Sequence, residues 1–439
     1  MENKDFEEVL RLQNTKKNIR WHEKIDMLLA VATCSIGLES IPYYFGLDLK
    51  GFTIAWFIMP PIIFISFIIN IRKYLSGDVI KWNVFFLFPL VLYALSVNWN
   101  EDIPFGNVPE TLRSFSLSLI ILSFYIVHGS TAKGRYTFVM ALILIGGIAA
   151  MLNIASLIGV SDKGIMLYHL GNKVYITRIS PLGDPNITTI YFLGFAVSLP
   201  FWQNLIGKPK GFIIGTLSFI LVLFAISGSA SRGGTIAIVF SALVMYYFLW
   251  VKAKRSKILV LFLLVLVFVL LFVDIITPLL PKQFNTLIDR FALLAVEGIN
   301  EVNAYTRLVS ILWLIEDIFT GPRLVGIGFE KFSQYTFPIG GMWLPHNSFV
   351  DLYVIGGIFG FLAFIMLWWN ALRAQLKSTN VKNEDMRFYS IWYISYGAGL
   401  ALLVFSVSIA WTKLIWAYLG IGVALSKISK QALNTSNRT

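Results

Sequence analysis

The stretch GFIIGTLSFILVLFAISGSASRGGTIAIVFSALVMYYFLWV, residues 211–251, is the clearest indication of the fold of this 439-residue chain. It holds two long apolar runs that are separated by the short polar turn SGSASRGG, residues 227–234. A run of about 20 apolar residues spans the roughly 30 Å hydrocarbon core of a bilayer as an α-helix. Two such runs with a short turn between them predict a helical hairpin that crosses a membrane twice.

The same pattern recurs along the rest of the chain. Hydrophobic residues make up 57% of the sequence and charged residues only 14%, whereas a soluble domain carries about 25% charged residues. This composition excludes a soluble multidomain protein and a disordered chain. Long solid runs also exclude an outer-membrane barrel, whose strands are short and alternating. The sequence therefore predicts an all-α polytopic membrane protein.

We expect about twelve transmembrane helices in one transmembrane domain, residues 27–426, although the last two lie so close that about eleven is also compatible. Residues 1–26 precede this domain as an N-terminal segment and residues 427–439 follow it as a tail. The expected spans are 27–46, 52–71, 82–99, 112–128, 136–158, 186–206, 211–228, 233–251, 258–276, 347–370, 389–408 and 411–426.

The distribution of Lys and Arg predicts the orientation, because these residues accumulate in cytoplasmic loops. With the N-terminus inside, 24 of the 36 Lys and Arg residues lie on the inner side and 12 on the outer side. Both termini are then cytoplasmic. The net charge of +12 is mainly a topology signal, and it does not indicate a nucleic-acid partner.

Two outer loops are long, at residues 159–185 and 277–346, and long loops are typically functional. Within the second loop, between spans 9 and 10, residues 304–319 place Leu308, Leu312 and Ile315 on one face at helical spacing. A shorter stripe of the same kind runs over residues 287–294. We interpret both as amphipathic helices at the outer membrane interface, with a soluble cap packed on the bundle as the equal alternative.

Metal and cysteine chemistry have little support in the sequence. Cys34 is the one cysteine, and the four histidines form no HExxH motif, so we expect no metal site. His22 and His128 are expected to be solvated, and His169 lies in an outer loop.

His346 differs from the other histidines because a span starts directly after it, at Asn347 and Ser348. A helix N-terminus presents unpaired N–H groups and a positive dipole end, which favour a nearby anion. An imidazole there can act as a general base, since an unperturbed His titrates at about 6.5. The alternative is a histidine that only caps the helix. Gly356 and Gly360 further along indicate close helix packing.

Arginines accompany this histidine on the predicted outer side. Ser231 and Arg232 lie in the tight turn between spans 7 and 8, where successive N–H groups can form an anion-binding nest. Arginine adds a fork of donors that matches phosphate oxygens. Arg178 and Asn186 flank the start of span 6, and Arg307 lies on the amphipathic loop helix. Each is also open to a simpler reading, as a snorkelling or solvated charge or a helix-start residue. Together they predict a site for a phosphate-bearing lipid.

At these residues the chain resembles the O-antigen ligase and O-antigen polymerase superfamily of bacterial membrane glycosyltransferases. The resemblance is carried by segments that cover about residues 175–430. They are RISPLGDPN (178–186), SASRGG (229–234), TRLVSILWLIEDIFTGPRLVGIGFEKF (306–332) and PHNSFVDLYVIGGIFG (345–360). The first five spans match only in being membrane helices.

The resemblance implies a metal-independent GT-C-type enzyme of the bacterial inner membrane without cofactors. Its donor is a glycan on undecaprenyl diphosphate at the outer leaflet. His346 then activates the acceptor hydroxyl, Arg232 and Arg178 bind the diphosphate, and Arg307 positions it. Asn186, Ser231 and Asn347 are further substrate-binding candidates.

The sequence does not identify the acceptor of the glycan. A repeat-unit polymerase uses another lipid-linked glycan, whereas a ligase uses lipid A–core or another surface acceptor. We favour the polymerase, with a chain-length regulator as a further partner to consider. A flippase for the same lipid is the weaker alternative, since it would place charges at mid-membrane.

Overall fold

The structure is a computed structural model that describes residues 29–36, 54–99, 108–159, 165–170, 174–180, 185–229, 231–251, 302–321, 324–328, 347–379, 384–407 and 412–436. The predicted span 258–276, the stripe at 287–294 and His346 lie outside these residues. So do the two terminal segments, apart from the start of the tail.

Helices dominate the described residues. They are α1 (Ile54–Tyr74), α2 (Gly77–Trp99), α3 (Val108–Gly129), α4 (Ala132–Leu157), α5 (Pro185–Ala196), α6 (Leu199–Ile206), α7 (Lys208–Ser229), α8 (Arg232–Tyr246), α9 (Val302–Thr320), α10 (Ser348–Ser378), α11 (Glu384–Ser406) and α12 (Lys413–Ser436). A π-helical turn, Tyr247–Val251, extends α8.

The predicted class of fold, an all-α polytopic membrane protein, is confirmed. Within the described residues, seven segments are long and apolar enough to cross a membrane. They are Phe57–Tyr74, Ala132–Leu157, Pro185–Ile206, Lys208–Ser229, Arg232–Trp250, Ser348–Ser378 and Met386–Ser406. The total number of spans stays a prediction.

The loop 159–185, which is predicted to be outer, contains a β-hairpin that the sequence analysis did not predict. β1 (Ile165–Leu170) pairs antiparallel with β2 (Val174–Ile179), from Ile165 opposite Ile179 to Leu170 opposite Val174. The alternating, β-branched run VYITRI favours a strand, but the surrounding helical runs obscure so short a signal.

The predicted span 186–206 is not one continuous helix. It breaks at Val197 and Ser198 between α5 and α6, because Pro200 occupies the first turn of α6 and has no N–H to continue the helix. Two side chains of α11 bond carbonyls of α5 before the break. Tyr396 Oη donates to the carbonyl of Ile190 over 3.2 Å, and Trp392 Nε1 to that of Gly194 over 3.4 Å.

A pair of stacked tyrosines joins α11 to α12 in the centre of the bundle. The rings of Tyr393 and Tyr418 are 4.1 Å apart, and each hydroxyl donates to the other residue's backbone carbonyl, over 2.9 and 3.1 Å. Gly397 and Gly422 leave the space for the two hydroxyls. Both hydroxyls are therefore satisfied where water is absent.

The segments predicted to share the cytoplasmic side lie together at one end of the bundle, here called the basic end. Lys427 Nζ lies 2.7 Å from Asp78 Oδ2, and Lys208 Nζ lies 4.0 Å from Glu384 Oε1. Buried Arg135 donates to the carbonyl of Gly129 over 3.0 Å and contacts Met386 Sδ at 3.9 Å. The grouping agrees with the predicted topology, while the orientation in the membrane stays a prediction.

His128 is buried, so the expectation that it is solvated is wrong. Its Nε2 lies 2.7 Å from Ser66 Oγ, which lies 2.8 Å from the hydroxyl of Tyr74. The reason is that α1 packs against the end of α3 and supplies a polar partner there. A buried imidazole requires such a partner.

Helix α9 packs on α10 through a different face from the predicted apolar one. Trp313 and Leu314 are buried against Tyr353, and the Tyr353 hydroxyl donates to Asp317 Oδ2 over 2.6 Å. Leu308, Leu312 and Ile315 of the predicted stripe are exposed instead, at 39, 54 and 48%. Apolar side chains that the described residues leave uncovered favour the interfacial interpretation over the soluble cap, which stays a prediction.

Helix α10 is broken at Gly357, whose φ of +68° is left-handed. The turn 324–328 lies against this break. The Ile327 N–H donates to the carbonyl of Val354 over 2.8 Å, and the Gly328 N–H to that of Ile355 over 3.3 Å. A side chain at Gly326 would collide with the carbonyl of Ile355. Gly356 packs closely on Phe115 of α3, as the predicted helix packing requires, while Gly357 packs on the turn 324–328.

We predict that Gly326→Ala destabilises the protein, since its Cβ requires the turn to move away from α10. The expected cost is about 1–3 kcal/mol, as for other overpacked sites, and it is measured as a lower melting temperature in detergent. Gly321→Ala is the matched control, because nothing lies within 4 Å of a Cβ there. Equal melting temperatures for Gly326→Ala and the wild type would contradict the described contact.

Candidate functional site

Of the helices that begin at the end of the bundle opposite the basic end, three have predicted site residues at their starts: α5 at Pro185, α8 at Arg232 and α10 at Ser348. We call Asn186, Ser231, Arg232 and Asn347 at these starts the cap cluster. All four were predicted from the sequence as site residues. Each helix N-terminus carries roughly half a positive charge and unpaired N–H groups, so three of them create a positive region at this end.

Ser231 joins the starts of α5 and α8. As the N-cap of α8 its Oγ accepts the N–H of Gly234 over 3.1 Å, and it also donates to Asn186 Oδ1 over 2.9 Å. Serine is favoured at this position because its hydroxyl oxygen accepts a hydrogen bond from an N–H that the helix leaves unpaired. Gly234 must lack a side chain, because a Cβ would lie 2.5 Å from Thr189 Oγ1 of α5.

Arg232 is the first residue of α8, and only 7% of it is exposed. A guanidinium stays charged in proteins, so its burial in an apolar bundle requires polar or anionic neighbours. Its planar fork matches the oxygens of a phosphate. The position therefore offers a fixed positive charge within the cap cluster.

Asn347 caps α10 and retains an unused donor. Its Oδ1 accepts the N–H groups of Phe349 and Val350 over 2.9 and 3.3 Å. Its Nδ2 is buried and has no hydrogen-bond partner among the residues that the structure describes. A buried amide donor without a partner is costly, so an acceptor from a ligand would be favourable here. Asp351, one turn further, is also buried.

The end of α11 brings the starts of α8 and α10 together. Ser348 Oγ donates to the carbonyl of Val407 over 2.7 Å, while a Cβ at Gly233 would lie 3.3 Å from Ser406 Oγ. Residues 406 and 407 are adjacent in the chain, so both helix starts contact the same turn. The sequence placed these residues on one side of the membrane, and the tertiary structure makes them neighbours.

The remaining predicted residues are less completely described. Arg178 lies in β2 and Arg307 in α9, and both side chains lie outside the described part of the structure, as does His346. The two residues after Arg178 contact or lie near α5. Ile179 is buried, and Ser180 Oγ lies 2.7 Å from Thr188 Oγ1 of α5. His346 directly precedes Asn347 in the chain.

Asn153 is a residue near this site that the sequence analysis missed. It is 0% exposed, and both atoms of its amide lack a hydrogen-bond partner among the described residues. Its Oδ1 lies 3.2 Å from where a Cβ of Gly228 would be, close to the turn that carries Ser231. The signal was available, since a single amide in an otherwise apolar span is expensive.

A groove runs along the bundle between α1, α2 and α3. Its volume is about 670 Å³ and its walls are almost entirely apolar, with Tyr74 and Leu75 at the basic end and Ser116 and Lys413 at the other. Phe115 beside it packs on the N-terminal part of α10, where a Cβ at Gly356 would lie 3.3 Å away. The groove therefore ends next to the helix that Asn347 caps.

In the part of the chain that the structure describes, no three His, Cys, Asp or Glu residues are grouped so that they could hold a metal ion. The fold and site together define a multi-pass helical membrane protein with a polar cluster around a buried arginine at one end.

Comparisons with known proteins add little to this description. No known protein family and no curated protein matches the sequence. The chain is similar to one in a solved structure described as "Structural coordination of polymerization and crosslinking by a peptidoglycan synthase complex". The similarity covers 80% of this chain and 97% of that chain, with 13% identity and a TM-score of 0.42. A likeness at this level defines neither family nor activity.

We predict that Ser231 and Asn186 are energetically coupled. Ser231→Ala should cost about 1 kcal/mol of stability through the lost cap. In the Ser231→Ala background, Asn186→Ala should cost less stability than it does in the wild type, because the hydrogen bond that the two residues share is already gone. Melting temperatures of the two single variants and the double variant measure this.

Thr131→Ala provides the control for the coupling. Thr131 caps α4 in the same way, accepting the N–H of Gly134 over 2.9 Å, but at the basic end. Its effect should add to that of Asn186→Ala, since distant sites are independent. If Ser231→Ala and Asn186→Ala are also additive, the hydrogen bond between them contributes nothing.

Proposed function

We propose that this protein is a membrane glycosyltransferase that transfers a glycan from undecaprenyl diphosphate to an acceptor hydroxyl at the outer leaflet. Within this class we favour a surface-polysaccharide repeat-unit polymerase, with an O-antigen-type ligase as the alternative. The observation that carries the proposal is the cap cluster, in which a buried arginine lies among three helix starts.

The cap cluster suits the diphosphate of such a donor. Arg232 supplies a permanent charge and a bidentate fork, and the helix starts supply dipoles that favour an anion. The unused Nδ2 donor of Asn347 is oriented by its own cap bonds. Arg178 and Arg307 are proposed to add charge from β2 and α9. Preorganised donors of this kind stabilise negative charge without reorganisation during the reaction.

The apolar groove suits the polyprenyl chain of the donor. It is lined by hydrocarbon over most of its length and holds polar residues mainly towards its ends. Its outer end lies beside the half of α10 that Asn347 caps. A lipid with its chain in the groove would thus have its head group near the cap cluster.

The proposed reaction is a displacement at the anomeric carbon of the donor sugar. The acceptor oxygen forms the new glycosidic bond as the bond from that carbon to the diphosphate oxygen breaks. The diphosphate leaves with the bonding electron pair, and the hydroxyl proton passes to the imidazole of His346. The arginines stabilise the charge on the leaving group, in place of a metal ion.

We predict that Arg232→Ala lowers glycan transfer by about 10²–10³-fold, the usual cost of losing one preorganised donor. Arg232→Lys should retain part of the activity, because it keeps the charge but loses the fork. The measurement is a gel of surface glycans in a deletion strain that carries each variant at matched expression. Arg373→Ala, which removes an exposed arginine from the other end of α10, should be fully active.

The same gel separates the two acceptors. Loss of a polymerase leaves single repeats on the surface acceptor, whereas loss of a ligase leaves none there and glycan accumulates on the polyprenyl carrier. Wild-type glycan from Arg232→Ala would refute the role of the cap cluster.

We predict that His346→Ala lowers the rate by about 10²–10⁴-fold, the range for a lost general base. Transfer by the wild-type enzyme should fall as the pH drops below the pKa of the imidazole, ordinarily about 6.5, since a protonated histidine cannot accept the hydroxyl proton. The residual activity of His346→Ala should lack this acid limb. His22→Ala, in the N-terminal segment, is the matched control. A fully active His346→Ala protein would exclude the general base.

A further inference from the structure

A second cavity lies at the basic end, far from the cap cluster. Its volume is about 220 Å³, and it is lined by Gln203, Lys208, Leu249, Trp250, Glu384, Arg387 and Phe388. These residues come from four elements: α6, the start of α7, the π-helical turn after α8, and the start of α11. Neither the predicted site nor the proposed reaction uses them.

The charges that line this cavity favour an anion. Two basic residues, Lys208 and Arg387, line it together with one carboxylate, Glu384. The ion pair between Lys208 and Glu384 is long, at 4.0 Å, and exposed. Such a pair contributes little to stability. Arg387 and Gln203 line the cavity, and neither forms a hydrogen bond or ion pair within the part of the chain that the structure describes.

The apolar surroundings favour a lipid over a soluble anion. Trp250 is buried in the wall, where it stacks on Tyr246 with ring centroids 4.3 Å apart. Helix α7 starts at Lys208 and exposes Ile213, Leu217 and Ile220 further along. A head group in the cavity would have its acyl chains alongside these residues. Tryptophan and basic residues are the usual anchors at a membrane interface.

We propose that this cavity binds the phosphate head group of an anionic phospholipid, from the leaflet that the basic end faces. Arg387 and Lys208 contact the phosphate, Gln203 donates to its ester or glycerol oxygens, and the chains lie along α7. The cytoplasmic leaflet, which this end faces in the predicted topology, is the one that carries negative surface charge. The site is independent of the proposed transferase activity.

The test is retention of lipid by the purified full chain in native mass spectrometry. The probes are phosphatidylglycerol, phosphatidylcholine and glycerol phosphate. We expect retention of phosphatidylglycerol over phosphatidylcholine, and a higher melting temperature with phosphatidylglycerol alone. Glycerol phosphate at the same concentration should not replace it, because the chains contribute to binding. Equal retention of the two phospholipids, or full competition by glycerol phosphate, would overturn the proposal.

The variants Arg387→Gln and Lys208→Gln should each weaken phosphatidylglycerol binding about fivefold, as expected for one basic residue near an anionic lipid. Arg387→Lys should retain most binding, which separates lost charge from misfolding. The matched control is Arg72→Gln with Lys73→Gln, two exposed basic residues at the same end on α1. Loss of binding in this control as large as in Arg387→Gln, or unchanged binding in Arg387→Gln, would refute the site.

Discussion

Backbone N–H and C=O groups at membrane depth must find partners within the protein, because the bilayer core offers no water. Among the described helices, the breaks at residues 197–198 and at Gly357 each receive hydrogen bonds from another segment. Beside the first break, Trp392 of α11 donates to the carbonyl of Gly194 in α5. At Gly357, the turn 324–328 bonds carbonyls of α10. The long second loop is thereby attached to the bundle.

The same requirement shapes the candidate site. A helix that starts near the membrane has unpaired N–H groups, and here Ser231 and Asn347 satisfy part of them with side-chain oxygens. Capping of this kind pairs some backbone N–H groups and orients the side chain that caps them. The Asn347 amide is held by its oxygen, and its nitrogen has no hydrogen-bond partner among the described residues. The residues that cap the helices are therefore the ones that we propose to bind an anion.

Much of the fold could be predicted because the apolar runs are long. The ends of α4, α7 and α10 agree with the predicted spans to within a few residues, except that α10 continues to Ser378. The predictions that were wrong concern residues whose tertiary contacts outweigh the local sequence pattern. His128 is buried because α1 supplies Ser66, and α9 buries Trp313 rather than its most regular apolar stripe. The hairpin β1–β2 is too short to stand out in so apolar a chain.

Hydropathy and basic charge are properties of each segment, so the sequence is enough to predict a multi-pass helical protein and a common side for particular segments. It also singled out Asn186, Ser231, Arg232 and Asn347 as residues at helix starts. The hydrogen bond between Ser231 and Asn186, and the meeting of α8 and α10 at the end of α11, are seen in the tertiary structure alone. Contacts between helices depend on how their side chains pack, and that information is distributed over distant parts of the chain.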